Sequence, residues 1–275
     1  MTDTEHRMAL LTRTELGDRA PDAIAVLPIG ATEQHGPHLP VGTDHLVVDR
    51  IAHLAARVAQ DSGVDVIVAP TVPFGLSAHH LAFGATVTVS ATTLMAYLDQ
   101  ACRSLLDSGF RRLFLLNGHG GNDELIRVVA RELGVSTGLP IAASSYWLVA
   151  WDRLLAAGIQ DAGRLPGHAG AFETAVFGAL FPEHVLQSPP RRPNATSPRA
   201  RYYPDVHVED VSIWQRIDGF SDDPSAATTE LGARAVAEIV AALAEAWGAA
   251  IRHDKSADGH DKKETGSSGT APLPF

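Results

Sequence analysis

Cysteine is almost absent. Cys102 is the only one in the 275 residues, which excludes an intrachain disulfide framework and any thiolate-rich metal site. A metal held by this chain must be held by imidazoles and carboxylates. The sequence also lacks a charge-free apolar run long enough to span a bilayer. Its first residues, MTDTEHRMALLTRTELGD, have neither the apolar core nor the small-residue cleavage site of a secretory leader, so a cytoplasmic location is the expectation. Basic residues are in the minority, 22 against 32 acidic ones, and the formal net charge of -10 disfavours a nucleic-acid backbone as partner. Three nucleotide and nucleophile signatures are missing as well. No GxGxxG with a later acidic residue follows the first strand, no Lys-Ser/Thr pair follows the glycines of FLLNGHGGN, and no serine sits in a GxSxG elbow. A nicotinamide dehydrogenase, a P-loop protein and a serine hydrolase are thereby disfavoured.

What is present is an alternation of short aliphatic runs with longer amphipathic ones. Residues 23–30, AIAVLPIG, read as a strand, followed by a helix in HLVVDRIAHLAARVAQDSG. VDVIVAPTVP, FRRLFLLNGHG and LPIAASSYW supply further strands, with helices in residues 91–108, DELIRVVARELG, AFETAVFGALFP and TTELGARAVAEIVAALAEAWGAAI. This order predicts an α/β fold with a mostly parallel sheet covered on both faces. Such sheets place their sites at the carboxyl ends of strands, here near Ile29, Asn117 and Trp147. Residues 1–253 read as one domain and 254–275 as a polar, low-complexity tail. The basic, proline-rich PPRRPNATSPRARYY reads as a solvated loop.

Three stretches carry chemistry. GATEQHGPHLPVGTDH offers Glu33, His35 and Asp44, one imidazole and two carboxylates on a loop small enough to fold back on itself. That donor mixture suits Zn, Mn or Fe. FLLNGHGGN delivers His119 from a buried strand, with the glycines at 120 and 121 leaving backbone N–H groups able to face a substrate carbonyl. GHAGAFETA presents His168 on a turn and Glu173 at a helix start, where a carboxylate is stabilised as the anion. His38 and His45 are weaker candidates. His79 and His80 border the site or a neighbouring subunit, and Asp222, Asp223 and Glu230 read as turn or capping groups. With Cys102 inside a predicted helix, these carboxylates and histidines at a sheet edge point to water activated by a metal attacking a carbonyl.

From Val26 to Trp247, through LPIGATEQHGPHLPVGTDH, SAHHLAFGATVTVS, LLNGHGG and HAGAFET, the sequence resembles the creatininase family of metal-dependent amidohydrolases. The resemblance implies a three-layer αβα sandwich, two divalent metal ions per subunit and a homo-oligomer, often a hexamer. It also implies Glu33, Asp44 and His119 as ligands of one metal, His35, Asp44 and a further glutamate as ligands of the other, and His168 as the group that protonates the leaving nitrogen. In creatinine hydrolase that further glutamate lies two positions beyond the histidine of the NGH motif, where this sequence has Gly121. Glu173 is therefore the candidate to complete the second site and to act in catalysis.

SSYW matches the segment that brings a pocket tryptophan, which makes Trp147 a candidate substrate wall, with Tyr146 and Gly120 beside it. The family's other pocket tryptophan is replaced by Arg164, which suits a carboxylate on the substrate. The expected substrate is a small amide, cyclic or anionic. The alternatives are a short modified peptide, a formamide of flavin-related biosynthesis, or a noncatalytic binding role.

Overall fold

We describe the protein from a computed structural model that covers residues 5–184, 189–191 and 210–261, with side chains to residue 250. The elements run α1 (Arg13–Arg19), β1 (Ile24–Ile29), α2 (Thr43–Asp61), β2 (Val66–Val68), α3 (Ala91–Asp107), β3 (Arg112–Asn117), α4 (Asp123–Thr137), β4 (Ile141–Ser145), α5 (Tyr146–Val149), α6 (Trp151–Ala156), α7 (Ala171–Leu180), α8 (Ser212–Arg216) and α9 (Thr229–Asp261). Among the described residues the four strands form one sheet of order β2-β1-β3-β4. Every pairing is parallel, with Ile24 opposite both Val66 and Arg112, and Ile29, Asn117 and Ser145 aligned at the carboxyl edge.

The two-residue alternation of the strands divides the core into two layers. Ile24, Val26, Val66, Val68, Phe114 and Leu116 face one side, where they pack with residues of α2, α5, α7 and α9. Ala25, Leu27, Ile29, Ile67, Leu113 and Leu115 face the other, against α3 and α4. This is the expected α/β sandwich. The nearly continuous aliphatic composition of β1 follows from it, because a strand covered on both faces has no solvent side to make polar.

Three boundaries differ from the sequence reading. The strand expected over 64–73 narrows to Val66–Val68, because Pro70 and Pro73 have no N–H for a ladder; Val72 nonetheless returns to bridge Ile29. Trp147 lies on the short helix α5 after β4 rather than on the strand. α9 continues to Asp261, past the boundary set at 254, since proline is absent there and Gly259 is the first glycine after Gly248. Residues 262–275 and most of the basic proline-rich loop lie outside the described residues.

The long helix α9 lies against α2 and α7, and one contact sets how closely it approaches α7. A Cβ added to Gly232 would overlap the carbonyl group of Ala175 and crowd the Ala179 methyl group. These are backbone and helix-fixed atoms that cannot yield. Gly134, on α4, has only ordinary contact with Leu139. Gly232→Ala should therefore destabilise the protein by about 1–3 kcal/mol through overpacking, whereas Gly134→Ala should raise stability by about 0.4–1 kcal/mol. Urea unfolding of the two variants checks the pair; equal midpoints would refute the assigned packing.

Candidate metal centre

The site forms where β1 and β3 end. The chain leaving β1 carries Glu33 and His35, then enters α2, whose first turn holds Asp44. The chain leaving β3 carries His119. Asn117 and Asn122 pin that turn: the Asn117 side chain donates to the His119 carbonyl (2.6 Å) and accepts from the His119 N–H (3.1 Å), while Asn122 donates to Gly30 O (3.1 Å) and accepts from Leu76 N (3.0 Å). A Cβ at Gly118 would collide with the Asp44 carbonyl and Val48, so glycine lets β3 and α2 meet at this point. The loop before α7 brings His168, and the first turn of α7 brings Glu173.

These side chains converge in a buried space. Glu33 and His35 are fully covered, and Asp44, His119, His168 and Glu173 are each under a tenth exposed. Asp44 stands between two imidazoles, with Oδ1 3.0 Å from His35 Nε2 and Oδ2 3.0 Å from His119 Nδ1. His119 Nδ1 also lies 3.3 Å from Glu33 Oε1, and His35 Nε2 lies 3.7 Å from Glu173 Oε2. Each of these imidazoles commits its other nitrogen to a backbone carbonyl: His119 Nε2 donates to Leu76 O (3.0 Å) and His35 Nδ1 to Glu33 O (3.1 Å). That orients each ring and makes its inward nitrogen the one that would give up its proton to a metal.

The donors fit a divalent cation. Both Glu33 carboxylate oxygens and Asp44 Oδ2 are buried without a hydrogen bond, although nitrogens lie close by. A buried anionic oxygen left unpaired is costly, and a shared cation at the convergence point removes that cost. Groups of three donors within 4.8 Å of one another occur as His35–Asp44–Glu173, Glu33–His35–His168 and Glu33–His79–His119. These clusters can hold divalent ions and are consistent with a binuclear Zn, Mn or Fe centre.

Protonation divides the histidines into two kinds. Burial opposes charge on His35, yet Asp44, Glu173 and Glu33 raise it to about 10. His119 is raised too, against burial, by Glu33 and Asp44. Burial and the neighbouring His35 hold His168 well below the usual histidine value despite Glu33. Burial brings His80 down to about 3, with Glu33 opposing. Among the acids, burial takes Glu173 up to about 8 against the pull of His35, and Asp44 adds to the rise. Glu33 stays well below the carboxylate value although burial opposes it, because His119, His168 and His80 face it.

Other candidate residues fall around this centre. Burial, then the charges of Glu173 and Asp44, keep the Tyr146 phenol neutral. Trp147 is buried in the core with its ring edge-on to Tyr146 at 4.9 Å. Gly120 is exposed with open space around it, whereas a Cβ at Gly121 would overlap Leu76 O and the His119 ring. Arg164 is half-buried on the loop that carries His168. His38 contacts Thr174 at 3.0 Å, and His45 reaches the Ala31 carbonyl, so each supports a loop. Burial raises the Cys102 thiol to about 12, which leaves no thiolate for catalysis.

Two residues gain a place that the sequence did not indicate. Gln34 contacts His80 Nδ1 and His168 Nε2 at 3.0 Å through its side-chain nitrogen. Trp214, on α8, packs on His80 at 4.6 Å, His168 at 5.2 Å and His79 at 5.7 Å between ring centres. Trp214 follows a long polar, proline-rich stretch of sequence and belongs to no apolar stripe, so periodicity could not place it. For Gln34 the signal was its position between Glu33 and His35.

The family model described as creatinine amidohydrolase matches residues 9–247. A mycofactocin precursor peptide peptidase of Mycolicibacterium smegmatis is 32% identical over 233 residues, covering 81% of this chain and 83% of that protein. A creatinine amidohydrolase of Pseudomonas putida is 31% identical over 201 residues, covering 67% and 75%. Among solved structures, a glutamate-to-glutamine variant of creatininase complexed with creatine superposes with a TM-score of 0.75 at 26% identity, over 90% of this chain and 99% of that one.

A cation entering this site must displace the protons of Glu173 and His35. Apparent affinity for Mn²⁺ should therefore increase as pH rises from about 6 to about 9, with protons released on binding. Glu173→Gln should flatten the lower part of that rise, below about pH 8 where Glu173 still holds its proton, and leave the part set by His35. Calorimetric titration in buffers of different ionisation heat counts the protons; an affinity independent of pH would contradict the assignment.

Proposed function

The chain belongs to the creatininase family of metal-dependent amidohydrolases, and from that premise we propose that the C–N bond it hydrolyses is a backbone amide of a short peptide. Position 121 carries this assignment. Creatinine hydrolase is expected to place a metal-binding glutamate there, but the space beside Gly121 is filled by Leu76 O and the His119 ring, so the carboxylate comes from Glu173. The burial of Trp147 and the replacement of the second pocket tryptophan by Arg164 support the same departure from a box built for a small ring. The resemblance to mycobacterial peptide peptidases over most of the chain supports the peptide.

In this reading Glu33, Asp44 and His119 hold one divalent ion, and His35, Asp44 and Glu173 hold the other, with Asp44 shared. Bound there, the metals supply Lewis-acid polarisation of the amide carbonyl and lower the pKa of water. His168, kept neutral by burial and by His35, would take at its imidazole the proton released by the attacking water and pass it to the departing amine as the C–N bond breaks. Its Nδ1 faces Glu33 Oε1 at 3.4 Å, while Nε2 lies 3.0 Å from the Gln34 carbonyl. Gly120 gives the peptide backbone room to approach. Tyr146 and Trp147 back the site, and Trp214 walls its outer side over His79 and His80. Arg164 meets a carboxylate of the substrate.

The metal-loaded enzyme should add one water to short peptides and give two fragments by mass spectrometry, with Asp44→Ala losing both metals and all activity. Formate release, or ring opening of creatinine with peptides untouched, would move the assignment to another branch of the family. Trp214→Ala should raise KM for the peptide about 10-fold or more while leaving metal content unchanged, as loss of a stacked or apolar contact does. An unaltered KM would remove Trp214 from the substrate site.

A further inference from the structure

We infer that the segment Gly219–Asp222 is a positioning brace for His168, and that Asp222 and Ser221 set the reach of that imidazole. The inference rests on the proton-transfer role proposed for His168. The loop 163–170 that carries His168 belongs to no strand or helix, so something outside it must fix its shape. Ser221 does this at the residue itself: its Oγ accepts the His168 N–H (2.8 Å) and its N–H donates to the His168 carbonyl (2.8 Å). Asp222 spans the loop from end to end. Its Oδ2 accepts from Arg164 N (2.5 Å) and its Oδ1 from Ala171 N (3.2 Å), and the Ser221 hydroxyl points at the same Oδ1 (3.5 Å).

The carboxylate is only 6% exposed, and the loop is shaped to receive it. A Cβ at Gly163 or Gly170 would overlap the Asp222 carboxylate, and one at Gly167 would meet Ser221 Oγ at 2.8 Å. The brace also reaches the ring. Gly219 O accepts from the Gln34 side chain (2.9 Å), and a Cβ at Gly219 would strike that side chain; the Gln34 carbonyl in turn takes the Nε2 proton of His168. His168 is thus held at its backbone by Ser221 and at its ring by a residue seated on Gly219. Glu173 is carried by α7, which packs along α9, and its Oε2 accepts from Ala169 N (2.5 Å) in the same loop. Disturbing the brace should therefore move His168 most, leave Glu33, His35, Asp44 and His119 on the segments after β1 and β3 in place, and keep Glu173 near the centre through α7. This gives the Asp222 side chain a specific task beyond capping a turn.

The test uses zinc-loaded full-length protein carrying Asp222→Asn, Ser221→Ala or Gly170→Ala, the last displacing Asp222 without altering it. A shift of about 1 Å at a reacting group costs on the order of 100-fold, so each should lower kcat for the peptide about 10- to 100-fold. KM should stay within about twofold and both metals should be retained. In a His168→Ala background, Asp222→Asn should lower kcat no further. Loss of metal, a parallel rise in KM, or a full additional loss in that background would overturn the proposal.

If the wild type cleaves no peptide, the substrate assignment fails while the brace is still decided by nitrogen-15 signals of the His168 ring, identified by their loss in His168→Ala. Shifted or broadened His168 signals in Asp222→Asn, with those of His45 unchanged, support the brace. Unmoved His168 signals refute it.

Discussion

Three carboxylates, Glu33, Asp44 and Glu173, are buried within reach of one another, and the structure around them is organised by the need to neutralise that charge. An isolated buried carboxylate carries a penalty on the order of several kcal/mol even after relaxation. Here Glu33 has no hydrogen bond at either oxygen. Protons offset part of the repulsion, which is why Glu173 and His35 hold theirs far above their ordinary values. A divalent cation carries the same two positive charges as those two protons, gathered at one point between the carboxylates. Metal binding and folding of the site are then one equilibrium.

The scaffold supplies what such a site requires. A parallel sheet buried on both faces brings the ends of β1 and β3 to one edge, and the aligned register of Ile29 and Asn117 makes the loops that follow adjacent. Helix starts contribute two of the acids, Asp44 from α2 and Glu173 from α7, where the backbone N–H groups favour the anion. Glycine at position 118 lets the two halves touch. Carbonyls of Leu76 and Glu33 orient the His119 and His35 imidazoles, so the direction of their inward nitrogens is set by the fold.

Much of this was legible in the sequence because it is local. The alternation of aliphatic runs with amphipathic segments gave the α/β fold, and small flexible residues around Glu33, His35 and Asp44 marked a loop built to fold back on itself. The turn at His168 and the helix start at Glu173 were readable from HAGAFET. What could not be read is non-local. No periodicity says that Asp222 reaches across to Arg164 and Ala171, or that Trp214 lies over His80. Nor does composition show that Trp147 is buried with Tyr146 beside the centre; burial is decided by which helices cover the strand end. Proline likewise shortened β2 beyond what the aliphatic run suggested.

The same pocket must hold two kinds of imidazole, and environment alone separates them. His35 and His119 face carboxylates directly and are held charged in the absence of metal. His168 and His80 stack on each other at 4.2 Å, under Trp214, where burial and neighbouring histidines outweigh Glu33. Groups whose surroundings push their proton affinities apart can take different roles in one site. A ligand must surrender its proton once and keep its lone pair on the metal, whereas a proton carrier must be neutral first and charged briefly. Those demands conflict on a single residue, so in the proposed reading His168, as the carrier, is fixed by something other than the ligands. The Gly219–Asp222 segment lies outside both strand-end loops and meets this condition: it can hold His168 at a set distance from Glu33 without joining the charge balance at the centre.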